Sequence, residues 1–369
     1  MRRIWFCIVF LPLVLVVLPL TGVMMQGGIL APYLEFPPLT IYVQHAPFSW
    51  SAFIFLVLLL ISVLGPLILH FIRNFRSGPA ISRQKHPFPW WGYGGVNLAV
   101  LSWFLAWNRF QWFESLQFYT FLPLWLGYII SINSLTYVRT GHCLLISHSR
   151  FFLALFPASA LFWWFFEYLN RFVQNWHYLG VEHFSTGEYI LHASLCFSTV
   201  LPAVQSTGEF LTSFQGLASS LKNWWPVSIQ RPNIWGWILL ALACPSLAAI
   251  SIYPNYLFPM LWVAPLLVIT GVQAICGGET IFRDLPNGDW HLIWLSALAA
   301  LVCGFFWEMW NVKSLAHWHY SVPYVQRFHI FEMPILGYGG YLPFGLECMV
   351  VSRMLDRVLG SEVYCKENL

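Results

Sequence analysis

The sequence predicts an all-α integral membrane protein with about ten transmembrane helices, and three observations carry that expectation. Hydrophobic residues make up 58% of the chain and charged residues only 9%, where soluble domains carry about 25% charged residues. Apolar runs close to the ~20 residues needed to cross a bilayer recur from end to end. Lys and Arg are shared unevenly between the loops that join those runs.

The expected spans are 4–24, 51–72, 91–107, 119–138, 151–169, 189–205, 235–253, 257–276, 291–310 and 330–352. The first follows Arg2-Arg3 and reads as a retained helix. A cleaved signal peptide is the alternative, although no A-x-A-like site follows it. The third and sixth spans are short. Spans seven and eight are separated by little more than Tyr253-Pro254-Asn255-Tyr256, which predicts a helical hairpin. With the N-terminus in the cytoplasm, only Arg109, Arg171, Lys313 and Arg327 of the eighteen Lys and Arg fall outside. That asymmetry predicts an even number of spans, both termini cytoplasmic, in a bacterial inner membrane.

A duplication organises the chain. Glu167 and Asn170 match Glu308 and Asn311 at an offset of 141 residues. Trp176 and Tyr178 match Trp318 and Tyr320 one residue further on, and Leu201-Pro202 matches Leu342-Pro343 at 141 again. The expected division is two leading helices with a basic linker (1–88), a four-helix repeat (89–210), a linker (211–233), a second four-helix repeat (234–352) and a tail (353–369). Repeats of four spans lie parallel, about a pseudo-two-fold axis along the membrane normal. Within the second linker, Ser213–Trp225 reads either as an amphipathic surface helix or as an ordinary loop.

The duplicated residues are the candidate site. Glu and Asn three positions apart share a helix face. That face is expected to point inward, because a carboxylate in hydrocarbon costs roughly 2.5–3.5 kcal/mol. Glu308, Glu332 and Glu167 are expected as catalytic acids or bases, with Asn170 and Asn311 orienting them. Glu188 joins them on re-entry into the membrane, so four carboxylates are expected to converge. Trp176, Tyr178, Trp318, Tyr320, His317, His319 and Glu188 are expected to contact substrate. The bland alternatives are helix-locking for the Glu–Asn pairs and interfacial anchoring for the Trp-His-Tyr segments.

Other chemistries find less support. The eight cysteines stand singly without a CxxC pair, so neither a disulfide framework nor a cysteine zinc site is expected. His317-x-His319 lacks the helical metal-ligand spacing. No metal and no cofactor are expected. Gly337-Tyr338-Gly339-Gly340-Tyr341 has no following Lys-Ser/Thr, so it is read as close packing or a broken helix rather than a phosphate loop.

Trp318-His319-Tyr320 followed by Phe331-Glu332-Met333-Pro334 resembles the lycopene cyclase domain, a family of small membrane proteins with repeated helical units and a Pro-x-Glu-Glu motif. The likeness covers about forty residues of the second repeat, and Glu-Met-Pro stands where the family has Pro-x-Glu-Glu. It implies a similar fold and acids that protonate a polyene or another isoprenoid. The whole chain also looks like a bacterial multi-pass family with the same duplicated W-E-x-x-N pattern, which implies no activity. The expected function is a membrane-embedded enzyme, a lipid or isoprenoid cyclase or isomerase, whose partner is a membrane lipid or lipophilic small molecule. A proton-coupled transporter or a non-catalytic scaffold is the alternative. Nucleic-acid binding is excluded by the lack of a large aqueous domain.

Overall fold

The computed structural model describes residues 2–75, 86–361 and 363–364. Arg76, Arg83, Lys85 and Lys366 of the expected cytoplasmic segments lie outside the described residues. Helix α1 (Arg2–Met25) leads through the short α2 (Ala31–Leu34) to α3 (Trp50–Phe75). Then come α4 (Trp90–Trp107), α5 (Phe121–Thr140), the short α6 (Leu144–Ser147) and α7 (Ser149–Val173). After β1 (Trp176–Leu179) follow α8 (Thr186–Phe197), α9 (Val200–Thr212) and α10 (Gln215–Ser220). The remainder holds α11 (Pro232–Ala249), α12 (Pro254–Leu257), α13 (Met260–Ile275), α14 (His291–Asn311), β2 (His317–Tyr320), β3 (His329–Ile330), β4 (Met333–Pro334) and α15 (Tyr341–Leu359).

Among the described residues five helices, α3, α5, α7, α11 and α14, are long and apolar enough to cross a membrane, and the fold is compatible with a membrane protein. Shorter apolar stretches occur at Leu13–Met25 and Met260–Ile275. In two of the expected spans the helix boundaries themselves differ from what is found. The sixth is not one helix: it breaks at Ser198 and Thr199 into α8 and α9. Pro202 has no N–H to offer the Ser198 carbonyl. Ser159 of α7 bridges the break, donating to the Phe197 carbonyl at 2.6 Å and accepting from the Leu201 N–H at 3.0 Å. The tenth starts later than expected, at Tyr341, and runs on to Leu359. Its first eleven residues are spent on the β3–β4 pair and a 3-10 turn, Ile335–Gly340, where one proline and three glycines disfavour a helix. Within Ser213–Trp225 only Gln215–Ser220 is helical.

Two antiparallel hairpins, α4–α5 and α11–α13, close on glycine. A Cβ on Gly95 would lie 2.5 Å from Ile130, and one on Gly236 would lie 2.7 Å from the Gly271 carbonyl. Gly95 and Gly236 are themselves 141 positions apart. Helix α9 sits centrally against α5, α7, α14 and α15, and the fully buried Trp125, Phe166 and Phe344 anchor the core. Helix α3 is different. It touches the rest mainly through α10 and the 3-10 turn, and only 6% of its apolar stretch is buried.

Candidate functional site

The site begins where α7 and α14 end. Gln174 caps α7 in the left-handed region (φ 50°, ψ 44°) and turns the chain into β1. The Asn170 amide then grips the new strand. Its oxygen accepts from the Asn175 N–H at 2.8 Å, and its nitrogen donates to the Trp176 carbonyl at 2.8 Å. Asn311 does the same for β2, accepting from the Trp318 N–H at 2.8 Å and donating to its carbonyl at 2.7 Å. The expectation that these asparagines hold the carboxyls is corrected: a side-chain amide matches a peptide group, and each binds strand backbone instead.

The two strands pair with each other. Trp176 lies opposite Tyr320, His177 opposite His319, and Tyr178 opposite Trp318. Alternation along a strand sends the Trp and Tyr side chains to one face. The segment from Glu35 to Ser49 crosses the strand end of the molecule. It is tied down by Tyr178 N–H to Thr40 Oγ1 (3.3 Å), Ser321 Oγ to the Val43 carbonyl (2.7 Å) and Arg171 to the Glu35 carbonyl (2.6 Å).

The phenols meet the carboxyls. Glu167 Oε1 accepts from Tyr178 OH (2.6 Å), Trp163 Nε1 (2.9 Å) and Trp176 Nε1 (3.1 Å). Glu308 Oε1 accepts from Tyr341 OH (2.7 Å) and Tyr320 OH (2.8 Å), while Trp318 Nε1 donates to the Tyr320 oxygen at 2.8 Å. Glu167 is 1% and Glu308 0% exposed. Leaving such a group without partners costs about 1–3 kcal/mol or more, so the aromatic donors are conditions for burying these acids. The second oxygen of each, Oε2, finds no hydrogen-bond partner among the described residues. Burial, then the adjacent carboxyl, raises the Tyr178 and Tyr320 phenols well above their ordinary value, so both stay protonated donors at neutral pH.

A cavity of about 290 Å³ lies beside this cluster. Its wall includes Trp176, Tyr178, Trp318, Tyr320 and His317, and also Tyr341 and Trp163. Glu167 and Glu308 do not line it; the phenols stand between them and the space. Most of the lining is apolar or aromatic, and Leu56, Leu59 and Leu60 of α3 close one side. Tyr178 and Tyr320 contribute from matching places, as do Phe121 and Trp262 at the 141-residue spacing.

The four expected carboxylates do not all converge. Glu332 approaches His319 at 3.7 Å. Glu188 is exposed and caps α8 in a reciprocal capping box with Ser185, whose hydrogen bonds lower its pKa. It is spent on a helix terminus and lies off the cavity wall. His319 also lies off the wall, facing His177 with ring centroids 6.2 Å apart. Among the described residues no group of three His, Cys, Asp or Glu is arranged to hold a metal ion.

Sequence reasoning missed Trp163 and Tyr341. Trp163 stands one turn before Glu167, a spacing that signals contact. Tyr341 gave no signal, because its counterpart at the 141-residue offset is Val200. Comparison with known proteins finds no match: no family model, no curated protein and no solved structure matches this chain.

Proposed function

We propose that the protein is a membrane-embedded enzyme that isomerises or cyclises a lipophilic, isoprenoid-like substrate by acid/base chemistry. In this reading it is an inner-membrane protein of ten spans, its termini cytoplasmic and its two four-helix repeats parallel. The observation that carries the reading is an aromatic cavity whose wall presents phenols hydrogen-bonded to two buried carboxyls. Apolar pockets with a few convergent polar groups are the usual form of a small-molecule site.

The proposed step balances without a co-reactant. A Tyr320 or Tyr341 phenol gives its proton to a substrate double bond, and Glu308 returns a proton to the phenol oxygen. The cation that forms is faced by Trp and Tyr rings, which attract positive charge. A neighbouring carbon then loses its proton through Tyr178 to Glu167, which starts as a carboxylate; Glu308 starts protonated and ends ionised, so proton exchange with water resets the pair before the next turnover. The product has the mass of the substrate.

The repeat layout draws support from the paired Asn clamps, the self-complementary strand register and the glycine contacts at one offset. A proton-coupled transporter is the second reading. It is favoured by buried polar contacts between α5 and α9: Tyr128 OH with Thr207 Oγ1 (2.8 Å), and Asn133 with Ser206 (2.8 Å).

The test is mass spectrometry of lipid extracts from a host making linear carotenoids and prenyl lipids, expressing wild type, Glu308→Gln or Tyr320→Phe at equal levels. An isobaric product seen only with wild type is expected. Identical lipid profiles with all three proteins folded in the membrane would remove the enzymatic reading and leave proton flux to be measured.

A further inference from the structure

Two stripes of residues reach the cavity from matching places in the sequence, and they differ in chemistry. Tyr189, His192, Ala193 and Cys196 of α8 all line it, at the i, i+3, i+4, i+7 spacing of one helix face. At the 141-residue offset His192 corresponds to Met333 and Cys196 to Gly337, which line it too. Leu60 of α3 packs on Gly339 of that same turn, and with Leu56 and Leu59 it completes an apolar wall. The α8 side therefore carries a phenol, an imidazole and a thiol where the α3 side carries only hydrocarbon and a thioether. The polar groups of α8 are held in place but not used up. The His192 ring packs against the rings of Tyr119 and Phe184, with centroids 5.3 and 5.2 Å away, and its Nε2 is 3.9 Å from Cys196 Sγ. Among the described residues neither the other nitrogen of His192 nor the Tyr189 hydroxyl makes a hydrogen bond. Tyr178 and Tyr320, by contrast, are committed to carboxyls. Among the described residues no Lys, Arg, Asp or Glu lines the cavity.

We propose that the α8 side of the cavity binds an uncharged oxygen, a hydroxyl or a carbonyl, at one end of the substrate, a step that rests on the cavity being the substrate site. The hydrocarbon body then extends towards α3. A phenol and an imidazole can each donate or accept a hydrogen bond, so Tyr189 and His192 can hold either kind of oxygen. A diphosphate end would be buried there without a counter-charge. A pure hydrocarbon would shield the two polar groups from water and leave them unpaired, which is how such sites reject analogues that lack the oxygen. His192 and Tyr189 thus set which isoprenoids enter and which way round they lie, apart from the proton transfers at Glu167 and Glu308.

The full chain in detergent is offered farnesol, farnesene and farnesyl diphosphate, which share one isoprenoid body, and retained ligand is read by native mass spectrometry. Comparing variants in the same micelles cancels partition into the detergent. Wild type is expected to retain farnesol about tenfold better than farnesene and to refuse the diphosphate. His192→Leu and Tyr189→Phe are each expected to lose most of that preference while farnesene retention holds, an outcome misfolding cannot imitate. His192→Asn, which keeps a donor and an acceptor, is expected to keep the preference. Three results would overturn the proposal: equal retention of farnesol and farnesene by wild type, a preference that survives both substitutions, or the diphosphate retained best. Loss of farnesene along with farnesol in both variants would overturn it too, marking that face of α8 as packing alone. Equal retention of farnesol and farnesene leaves the acid/base reading of the cavity standing, whereas retention of none of the three removes that reading as well.

Discussion

Glu167 and Glu308 rest on different donors. Glu167 receives two indole N–H groups and one phenol, whereas Glu308 receives two phenols. An indole can only donate, while a phenol can donate and accept, so a proton can be passed on at Glu308 through either of two side chains. Tyr178→Phe should cost about 1–3 kcal/mol by leaving Glu167 a donor short, read as a lowered melting temperature in micelles. A Tyr178→Phe protein that melts like wild type would mean the phenol does not support Glu167. His177 allows a prediction in pH. Burial, then His319 and His317, hold its pKa below the ordinary 6.5. The unfolded chain therefore binds a proton that the folded chain refuses, so this contribution to stability is complete above 6.5 and is lost as pH falls below it. Glu332, 3.7 Å from His319, is the anion that opposes the effect across the strand pair. His177→Asn should flatten the acid side of a melting-temperature profile; an unchanged slope would assign it to other groups. At this scale the sequence disclosed the residues that occur twice, because repetition makes them visible. Tyr341 was hidden because its partner lies 33 positions away and its repeat counterpart is Val200.

At the scale of elements, the strand pair depends on its asparagines. Asn311→Ala removes both side-chain bonds to Trp318, so amide exchange in His317–Tyr320 should quicken while the interior of α14 stays protected. Equal loosening of both would show that Asn311 supports the helix instead. Gly236→Val places a side chain where the Gly271 carbonyl now sits. Overpacking of this kind costs about 1–3 kcal/mol, and a parted α11–α13 hairpin would show as a lower melting temperature. Helices were legible in the sequence because apolar runs of span length leave few alternatives. The α8–α9 break and the late start of α15 were not, because both follow from local backbone bonding around Pro202 and Pro334 rather than from hydropathy. The role of the asparagines was misread for a similar reason: spacing shows that Asn shares a face with Glu, and not which backbone comes back to meet it.

For the molecule as a whole, the convergence of distant segments on one cavity was beyond what any window of sequence reports. Helix α3, α7, the two strands and the turn before α15 all contribute to its wall. Leu60 Cδ2 of α3 lies 3.2 Å from where a Cβ on Gly339 would stand, so Leu60→Cys and Gly339→Cys are the pair to join by a disulfide. In a background with the native cysteines replaced, oxidation should slow uptake of a fluorescent polyene, and reduction should restore it. Uptake indifferent to the cross-link would place the entrance elsewhere.

Helix α3 is hardly gripped by the remainder of the fold, yet it supplies three leucines to the cavity. On the α3 side, then, the leucines that shape the chamber sit apart from the helices that hold the core together. Substitutions at Leu56, Leu59 or Leu60 can reshape the space while the central bundle stays as it was. The chamber's outline can therefore drift on that side while the bundle's stability stays where it is.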